Sequence, residues 1–152
     1  MSTSIPLLSA SASSTLPPKK EHNASNLLSS DLETAWYSKN LEPGSKHRLE
    51  IKWSGSKTLV AVGLMFQGGF AGSSGTLSYL HSSTPLSTLS PPNVDYEDYE
   101  EIDSMDDFED SNSMQIVGVE GSGAGEGVII ELEGSTDFYG RVICYRIICW
   151  EA

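Results

Sequence analysis

Cysteine is scarce in this 152-residue sequence, which contains only Cys144 and Cys149. The two lie five positions apart in one apolar segment, so on a regular strand their side chains would point to opposite faces and could not form a disulfide. We therefore expect reduced thiols, as is usual inside cells. Cys144 is expected to be a small buried side chain of the last strand rather than a catalytic nucleophile.

Long apolar runs and targeting signals are also missing. No stretch approaches the ~20 apolar residues that span a membrane. The N-terminal residues MSTSIPLLSASASS lack the basic start and the apolar core of a signal peptide. We therefore predict a cytoplasmic or nuclear protein that does not act on a membrane, in which the sequon at Asn23-Ala24-Ser25 is not glycosylated.

Basic residues are few: nine Lys and Arg stand against 21 Asp and Glu, for a net charge of −12. Ten of the acidic residues fall in 95–110, which has no basic residue, so the rest of the chain is nearly neutral. Nucleic-acid binding is not expected, because it needs clustered Lys and Arg. A run of like charges repels itself, and we predict that 95–110 stays solvated. With the proline-rich residues before it, this run forms a predicted mobile insertion at 84–110.

Nucleotide-binding and catalytic motifs are missing too. The glycine-rich stretch FQGGFAGSSG at 66–75 cannot be a P-loop, since no lysine follows Lys57. The glycines of 121–127 do not fit G-x-G-x-x-G, and we predict a hairpin or loop there. The three histidines lack metal-ligand spacing, and neither the G-x-S-x-G elbow nor the EF-hand calcium pattern occurs. We expect no catalytic residue, no metal and no cofactor.

The apolar residues that are present have the spacing of strands. Alternation is clearest over 47–53, where one face is predicted to lie inward and the other in water. The inward set is His47, Leu49, Ile51 and Trp53, and the outward set is Arg48, Glu50 and Lys52. Further strands are predicted at 9–16, 58–67, 76–82, 113–119, 127–134 and 140–150, with a helical turn or tight loop within 26–38. Many short strands without a long helix indicate an all-β sandwich. We expect one domain over 9–152 after a flexible tail at 1–8.

Several short stretches resemble known families. NLLSSDLETAW at 26–36 resembles the first loop of discoidin-like and galactose-binding-like modules, N-L-x-D-x-x-x-T-x-W. FQGGF at 66–70 and STDFYGRVICYRIICW at 135–150 are similar to a small intracellular family of nuclear receptor-associated proteins, repressors that associate with a testicular orphan nuclear receptor. SSTL at 13–16 and DFEDSNSMQ at 107–115 add to that resemblance. It implies a jelly-roll β-sandwich of the galactose-binding-like type, as in discoidin and F5/8 type C domains.

The resemblance also implies where a ligand or partner would bind. In such folds the loops at one end of the sandwich form the ligand surface, here a rim of 31–36, 67–72 and 137–141. The candidate binding residues are Asp31, Trp36, Gln67, Phe70, Asp137, Tyr139 and Arg141. Structural roles stay open for several of them: Trp36 as a core side chain under the first loop, Phe70 tucked under its own loop, and Asp137 paired with Arg141 to fix a turn. Arg141 is alternatively an anchor for a partner's carboxylate or amide.

Two functions follow from this interpretation. The first is a monomeric, non-catalytic protein–protein adaptor that takes part in transcriptional regulation with a nuclear receptor-type partner. The alternative is a carbohydrate- or small-ligand-binding domain that uses the same rim. Neither the partner nor the ligand is specified by the sequence.

Overall fold

A computed structural model describes residues 3–42, 44–80, 99–105, 108–120 and 123–152, with the backbone alone over 99–105. In those residues it contains ten strands and one short 3₁₀ helix. In chain order they are β1 (Thr3–Ser4), β2 (Leu7–Ala12), the 3₁₀ helix (Ala24–Leu28), β3 (Trp36–Tyr37), β4 (Lys46–Lys57), β5 (Leu59–Phe66), β6 (Gly72–Leu80), β7 (Tyr99–Met105), β8 (Met114–Gly118), β9 (Gly125–Ser135) and β10 (Ile143–Glu151). No helix in the described part of the chain is long and apolar enough to cross a membrane.

The strands form two antiparallel sheets that pack as a sandwich. One sheet has the order β1-β10-β5-β8, with β3 also paired to β10, and the other has the order β2-β4-β9-β6-β7. The apolar core lies between them, with Leu49 and Val128 from one sheet and Leu64 and Ile147 from the other. Among the described strands the chain changes sheet after every one from β1 to β9 except β6, so the two sheets are interleaved along the sequence. The predicted all-β sandwich is confirmed.

Strand β4 confirms one half of its predicted pattern. Leu49, Ile51 and Trp53 lie in the core, as the alternation indicates. The prediction for the outer face was wrong, because Arg48 and Glu50 are buried. β4 is an interior strand between β2 and β9, and burial raises the pKa of the Glu50 carboxyl to about 7, against the opposing effect of Arg48 and Lys52. Alternation finds the two faces of a strand, but it does not show that the polar face is open to water.

Strand β10 corrects the expected placement of the cysteines. Its pairing with β5 shifts between Cys144 and Arg146, which marks a β-bulge. One extra residue reverses the alternation, so Cys144 and Cys149 both point into the core instead of to opposite faces. Both are free thiols, and burial raises the pKa of each to about 12. They are therefore unreactive apolar side chains, as expected for Cys144.

Two segments expected to lack regular structure contain strands. Residues 1–8 were predicted to be a flexible tail, but β1 pairs with the end of β10 and Ile5 is buried in the core. The acidic insertion was predicted to be solvated and mobile, yet its residues 99–105 form β7, which pairs along β6. Both expectations rested on local composition, whereas backbone pairing to a neighbouring strand decides the outcome here. Residues 84–98 and 106–107 of the insertion lie outside the described residues.

The second glycine cluster is only partly a loop. β9 begins at Gly125, and a side chain at Gly127 would collide with the carbonyl oxygen of Ile51 on the neighbouring strand. The indole N–H of Trp53 donates to the carbonyl of Gly125 at 2.9 Å. Gly127 therefore permits close packing of β9 against β4, and Gly125, where a Cβ would meet the Leu80 carbonyl oxygen, permits it against β6.

Candidate functional site

Four connections meet at one end of the sandwich, which we call the loop end. They are residues 13–45 between β2 and β4, 67–71 between β5 and β6, 108–113 before β8, and 136–142 between β9 and β10. The antiparallel pairings place these segments together, since β5, β9 and β2 finish where β10, β6 and β4 begin. The predicted rim residues 67–72 and 137–141 both belong to this end. The opposite end holds β1 paired with the last residues of β10.

Side-chain hydrogen bonds tie three of these loops together. The backbone N–H of Gly68 donates to Asn112 Oδ1 at 2.7 Å, and that of Gly69 donates to Asp110 Oδ1 at 2.6 Å. Thr136 Oγ1 donates to the same Asp110 oxygen at 3.1 Å. Gly69 has a positive φ of 87°, which favours glycine. The FQGGF stretch is thus a turn at the exit of the interior strand β5, and the N–H groups of Gly68 and Gly69 are taken up by side chains of the loop 108–113.

The last loop is a closed turn. The Asp137 carboxylate accepts the backbone N–H of Arg141 at 3.0 Å, and Ser135 Oγ donates to the Arg141 carbonyl at 2.6 Å. Gly140 has a φ of 78°, and a Cβ there would lie 2.5 Å from the carbonyl oxygen of Leu41. Asp137 therefore fixes this turn through the backbone of Arg141. Among the described residues no ion pair joins the two side chains, and Arg141 Nε is buried without a hydrogen-bond partner.

A buried histidine anchors the last loop to the sheet beneath it. His47 Nε2 lies 2.7 Å from the carbonyl oxygen of Gly140, which can only accept, so this nitrogen carries the proton. The Ser38 hydroxyl accepts the N–H of Val142 and donates to the carbonyl of Lys39, both at 2.8 Å. Burial lowers the pKa of His47 below its ordinary value, with the Gly140 carbonyl acting in the opposite direction. The imidazole is therefore a neutral structural donor.

The anchored loop presents two exposed aromatic side chains. Phe138 is 91% exposed and Tyr139 is 64% exposed, and their rings meet edge to face with centroids 5.2 Å apart. Beside them lies a cleft of about 350 Å³, which we call the last-loop cleft. Its apolar and glycine walls come from Leu41, Gly44, Gly134, Phe138 and Gly140, and its polar groups come from Glu42, Ser45, Glu133, Ser135 and Asp137. This part of the molecule combines a solvent-facing aromatic surface with hydrogen-bonding groups.

A second cleft, of about 320 Å³, lies beside the 3₁₀ helix, and we call it the first-loop cleft. It is lined by Lys20, Glu21, His22, Asn26, Glu33, Thr34, Ala35 and Tyr37. The rings of His22 and Tyr37 stack with centroids 4.0 Å apart, and His22 Nδ1 lies 3.0 Å from the Leu16 carbonyl. Sequence reasoning missed this pair, because the two residues lie fifteen positions apart in an irregular connection with no motif between them.

The predicted site residues occupy different environments. Trp36 is fully buried, and its indole N–H donates to the carbonyl of Ser14 at 3.0 Å, so it presents no face to a ligand here. Asp31 is exposed, and its carboxylate accepts the N–H of Glu33 at 2.9 Å. Gln67 accepts a hydrogen bond from the Tyr145 hydroxyl at 3.0 Å. Phe70 is half-buried. Tyr139 is the predicted aromatic site residue most open to solvent, with 64% of its surface exposed.

Metal binding finds no support in this arrangement. Among the residues with described side chains, no three His, Cys, Asp or Glu groups lie together as metal ligands. The carboxylates of Asp110 and Asp137 are instead taken up by backbone N–H groups.

Solved structures of similar shape include carbohydrate-binding modules. The family 32 module from the NanJ protein of Clostridium perfringens, in complex with galactose, has a TM-score of 0.75 and 13% identity, with 99% of this chain and 100% of that chain covered. This is the galactose-binding-like fold. A chitosan-binding module from a chitosanase/glucanase of Paenibacillus sp. IK-5, in complex with chitotriose, has a TM-score of 0.70 and 10% identity over 95% of this chain and 96% of that one.

A third galactose-binding-like structure is the family 32 module of AlyQ in complex with 4,5-unsaturated mannuronic acid. It has a TM-score of 0.69 and 14% identity and covers 99% of both chains. Neither the protein-family models nor the curated proteins compared with this sequence give a match. At these identities the likeness establishes the fold alone. It confirms the galactose-binding-like part of the resemblance and adds nothing to the part that concerns nuclear receptor-associated proteins.

Proposed function

We propose that this chain is a non-catalytic carbohydrate-binding domain whose site is the last-loop cleft. The observation that carries the proposal is the pair Phe138 and Tyr139, exposed on a turn that is held by hydrogen bonds from Asp137, Ser135 and His47. Neighbours with this fold were solved with galactose, chitotriose or an unsaturated mannuronic acid. These three modules share a class of ligand, while the sugar differs from one to the next.

The chemistry of the cleft suits a sugar ring. A pyranose has one face of C–H groups that packs on an aromatic ring and an edge of hydroxyl groups that needs donors and acceptors. Phe138 and Tyr139 supply the aromatic surface beside the cleft, and Tyr139 adds a hydroxyl. Ser45, Ser135 and the carboxylate of Glu42 line the cleft and supply polar groups.

The last-loop cleft is the better candidate of the two. In the first-loop cleft the His22 and Tyr37 rings are half-buried and stack on each other, which leaves less aromatic surface for a ligand. Three carboxylates, those of Glu42, Glu133 and Asp137, line the last-loop cleft. Because like charges repel, we expect neutral sugars to bind there more tightly than uronic acids.

A glycan array followed by titration calorimetry with the best-bound glycan tests this proposal. Replacing both Phe138 and Tyr139 by alanine is expected to abolish binding, since hot-spot aromatic residues dominate such sites. The matched control is Ile116→Ala, which removes another exposed apolar side chain, from β8. Tyr37→Ala tests the first-loop cleft. Glycan binding that survives the double replacement but is lost in Tyr37→Ala would move the site to that cleft, and an array without any bound glycan would refute the proposal.

The adaptor function that the sequence analysis placed first stays a prediction, as does the cytoplasmic or nuclear location. The structural neighbours favour its carbohydrate-binding alternative. A nuclear receptor-type partner has no counterpart among the observations that support the present proposal.

A further inference from the structure

Strand β8 lies at the end of its sheet and has an exposed outer edge. It pairs with β5 on one side, and within the described ranges no strand pairs with it on the other. Ile116, in the middle of β8, is 62% exposed, and Gly118 is exposed as well. A Cβ at Gly118 would meet none of the described atoms within 4 Å. This stretch of edge is therefore accessible to a further strand.

The outward backbone groups of β8 are those of Met114, Ile116 and Gly118. The N–H of Val119 donates to the carbonyl of Val60 beside β8 at 2.9 Å, so the polar groups of Val119 point towards β5. Backbone groups alternate in direction along an antiparallel strand, and the pairing of β8 with β5 is regular from Met114 to Gly118. The N–H and C=O groups of these three residues therefore point away from β5. No described loop residue makes a backbone hydrogen bond to them.

The side chains of β8 continue the apolar outer face of the sheet. Val117 packs against the core, so its neighbours in the alternation lie on the outer face. A Cβ at Gly63, on β5, would lie 2.9 Å from Met114 Sδ and 3.0 Å from the ring of Trp150. Met114 therefore lies over Gly63 and beside the indole, and Ile116 extends this apolar surface to the edge of the sheet.

Charge is missing from this edge in a chain whose net charge is −12. No Asp, Glu, Lys or Arg lies between Asp110 and Glu120. Edge strands are commonly protected from pairing by charged residues, proline or a bulge. β8 has no charged residue and no proline, and its register with β5 has no shift. Two acidic copies of this chain repel each other, so they approach at the lowest cost where neither carries charge.

We propose that two copies of this chain pair through β8, antiparallel about a two-fold axis at Ile116. In that register Ile116 lies opposite its own counterpart, and Met114 lies opposite Gly118 of the other copy. Each of these residue pairs exchanges two backbone hydrogen bonds, because their polar groups point outward. A contact that uses the same surface on both copies closes on itself and forms a dimer. This differs from the monomer that the sequence analysis expected.

β8 is complementary to itself in this register. The long side chain of Met114 lies beside a glycine, where space is open, and the two Ile116 side chains meet at the axis. Glu120 falls opposite Asn112, so the Glu120 carboxylates do not oppose each other. The antiparallel arrangement points the two loop ends in opposite directions. Ile116 lines neither the last-loop cleft nor the first-loop cleft, so the pairing is independent of the proposed sugar site.

Sedimentation equilibrium of the full chain tests the proposal. The edge is short, so we expect a weak dimer that forms between about 10 µM and 1 mM. Ile116→Lys should weaken dimerisation at least about tenfold, because the two-fold axis places the two introduced ammonium groups opposite each other. The matched control is Leu8→Lys. It replaces a side chain that is 64% exposed on β2, an edge strand of the other sheet, and should dimerise like the wild type.

Disulfide trapping tests the register. Ile116→Cys places two thiols across the axis, where the Cα atoms of a hydrogen-bonded pair lie about 5.5 Å apart, within reach of a disulfide. With oxidised glutathione as the oxidant we expect a covalent dimer of this variant. Leu8→Cys is the control and should stay largely monomeric. Cys144 and Cys149 do not interfere, because both are buried.

Salt separates this contact from one held by ion pairs. Screening weakens the repulsion between two acidic copies, so the dimer should tighten as ionic strength rises. A wild type that stays monomeric at 1 mM would overturn the proposal. So would a dimer that loosens with salt, equal dimerisation of Ile116→Lys and Leu8→Lys, or equal cross-linking of the two cysteine variants. None of these results would affect glycan binding at the last-loop cleft.

Discussion

The loop end holds aromatic residues in two opposite situations. Trp36, in β3, is fully buried with its indole N–H bonded to the Ser14 carbonyl, and its ring meets His47 edge to face at 5.8 Å. Phe138 and Tyr139, in the last loop, point into solvent. Both regions were included in one predicted rim. The difference is that the first loop uses its aromatic residue to hold the fold, while the last loop uses other groups for that purpose.

His47 connects the two regions physically. Its ring packs against Trp36, and its Nε2–H donates to the carbonyl of Gly140 in the last loop. Ser38, two residues after Trp36, accepts the N–H of Val142 at the other end of the same loop. The first loop therefore forms the base on which the last loop stands. Changes in the first loop should act on stability, and changes at the tip of the last loop should act on binding.

Trp36→Ala should have the largest effect on stability. It removes a fully buried indole and leaves a cavity under the first loop, so we expect a loss of about 3–5 kcal/mol in the free energy of unfolding. Urea denaturation monitored by circular dichroism measures it. A loss below about 1 kcal/mol would mean that Trp36 does not support the fold, and its role in the predicted rim would have to be reconsidered.

Ser38→Ala should have an intermediate effect. It leaves the buried N–H of Val142 without its acceptor, which costs about 1–3 kcal/mol. Because the last loop loses one of its anchors, glycan affinity should fall as well, although no ligand-contacting group is removed. Ser45→Ala is the comparison for affinity. It removes an exposed hydroxyl that lines the last-loop cleft and leaves the Ser38 anchor in place. If Ser38→Ala had the same free energy of unfolding as the wild type, the last loop would not depend on the first loop for its support.

How much of this was predictable depends on the kind of signal. The sandwich and the inward face of β4 follow from alternation. The inward position of both cysteines does not, because it depends on one bulge in β10. The burial of Glu50 does not either, because alternation does not show whether a polar face is open to water. The same limit applies to the site. A motif placed Asp137, Tyr139 and Arg141 at the loop end, but only side-chain contacts across long sequence separations distinguish Trp36 from Tyr139.

The pH dependence of stability tests the link through His47. Burial lowers the pKa of His47 in the folded state, so its contribution is fully present above the unfolded value of about 6.5 and is lost as pH falls from there towards the folded pKa. His47→Gln retains an N–H donor for Gly140 and cannot be protonated. We expect the wild type to lose stability relative to this variant as pH falls below about 6.5.

The measurement must be the difference in stability between the wild type and His47→Gln, because Glu50 changes stability with pH in the opposite direction. Its folded pKa of about 7 lies above the ordinary value, so it destabilises the fold as pH rises. That contribution is common to both proteins and cancels. Thermal melts at a series of pH values measure the difference, and parallel curves for wild type and variant would show that His47 is not a buried neutral donor.

Single alanine replacements of Phe138 and Tyr139 should have the smallest effect on stability and still decide function. Exposed side chains away from packed features usually change the free energy of unfolding by no more than about 0.5 kcal/mol. The turn beneath them keeps its bonds from Asp137, Ser135 and His47 in both variants. A loss of glycan binding without a change in the melting temperature would therefore assign the aromatic surface to the ligand. If either replacement instead destabilised the protein as Trp36→Ala does, the last loop would be part of the core, and the contrast between the two aromatic regions would not hold.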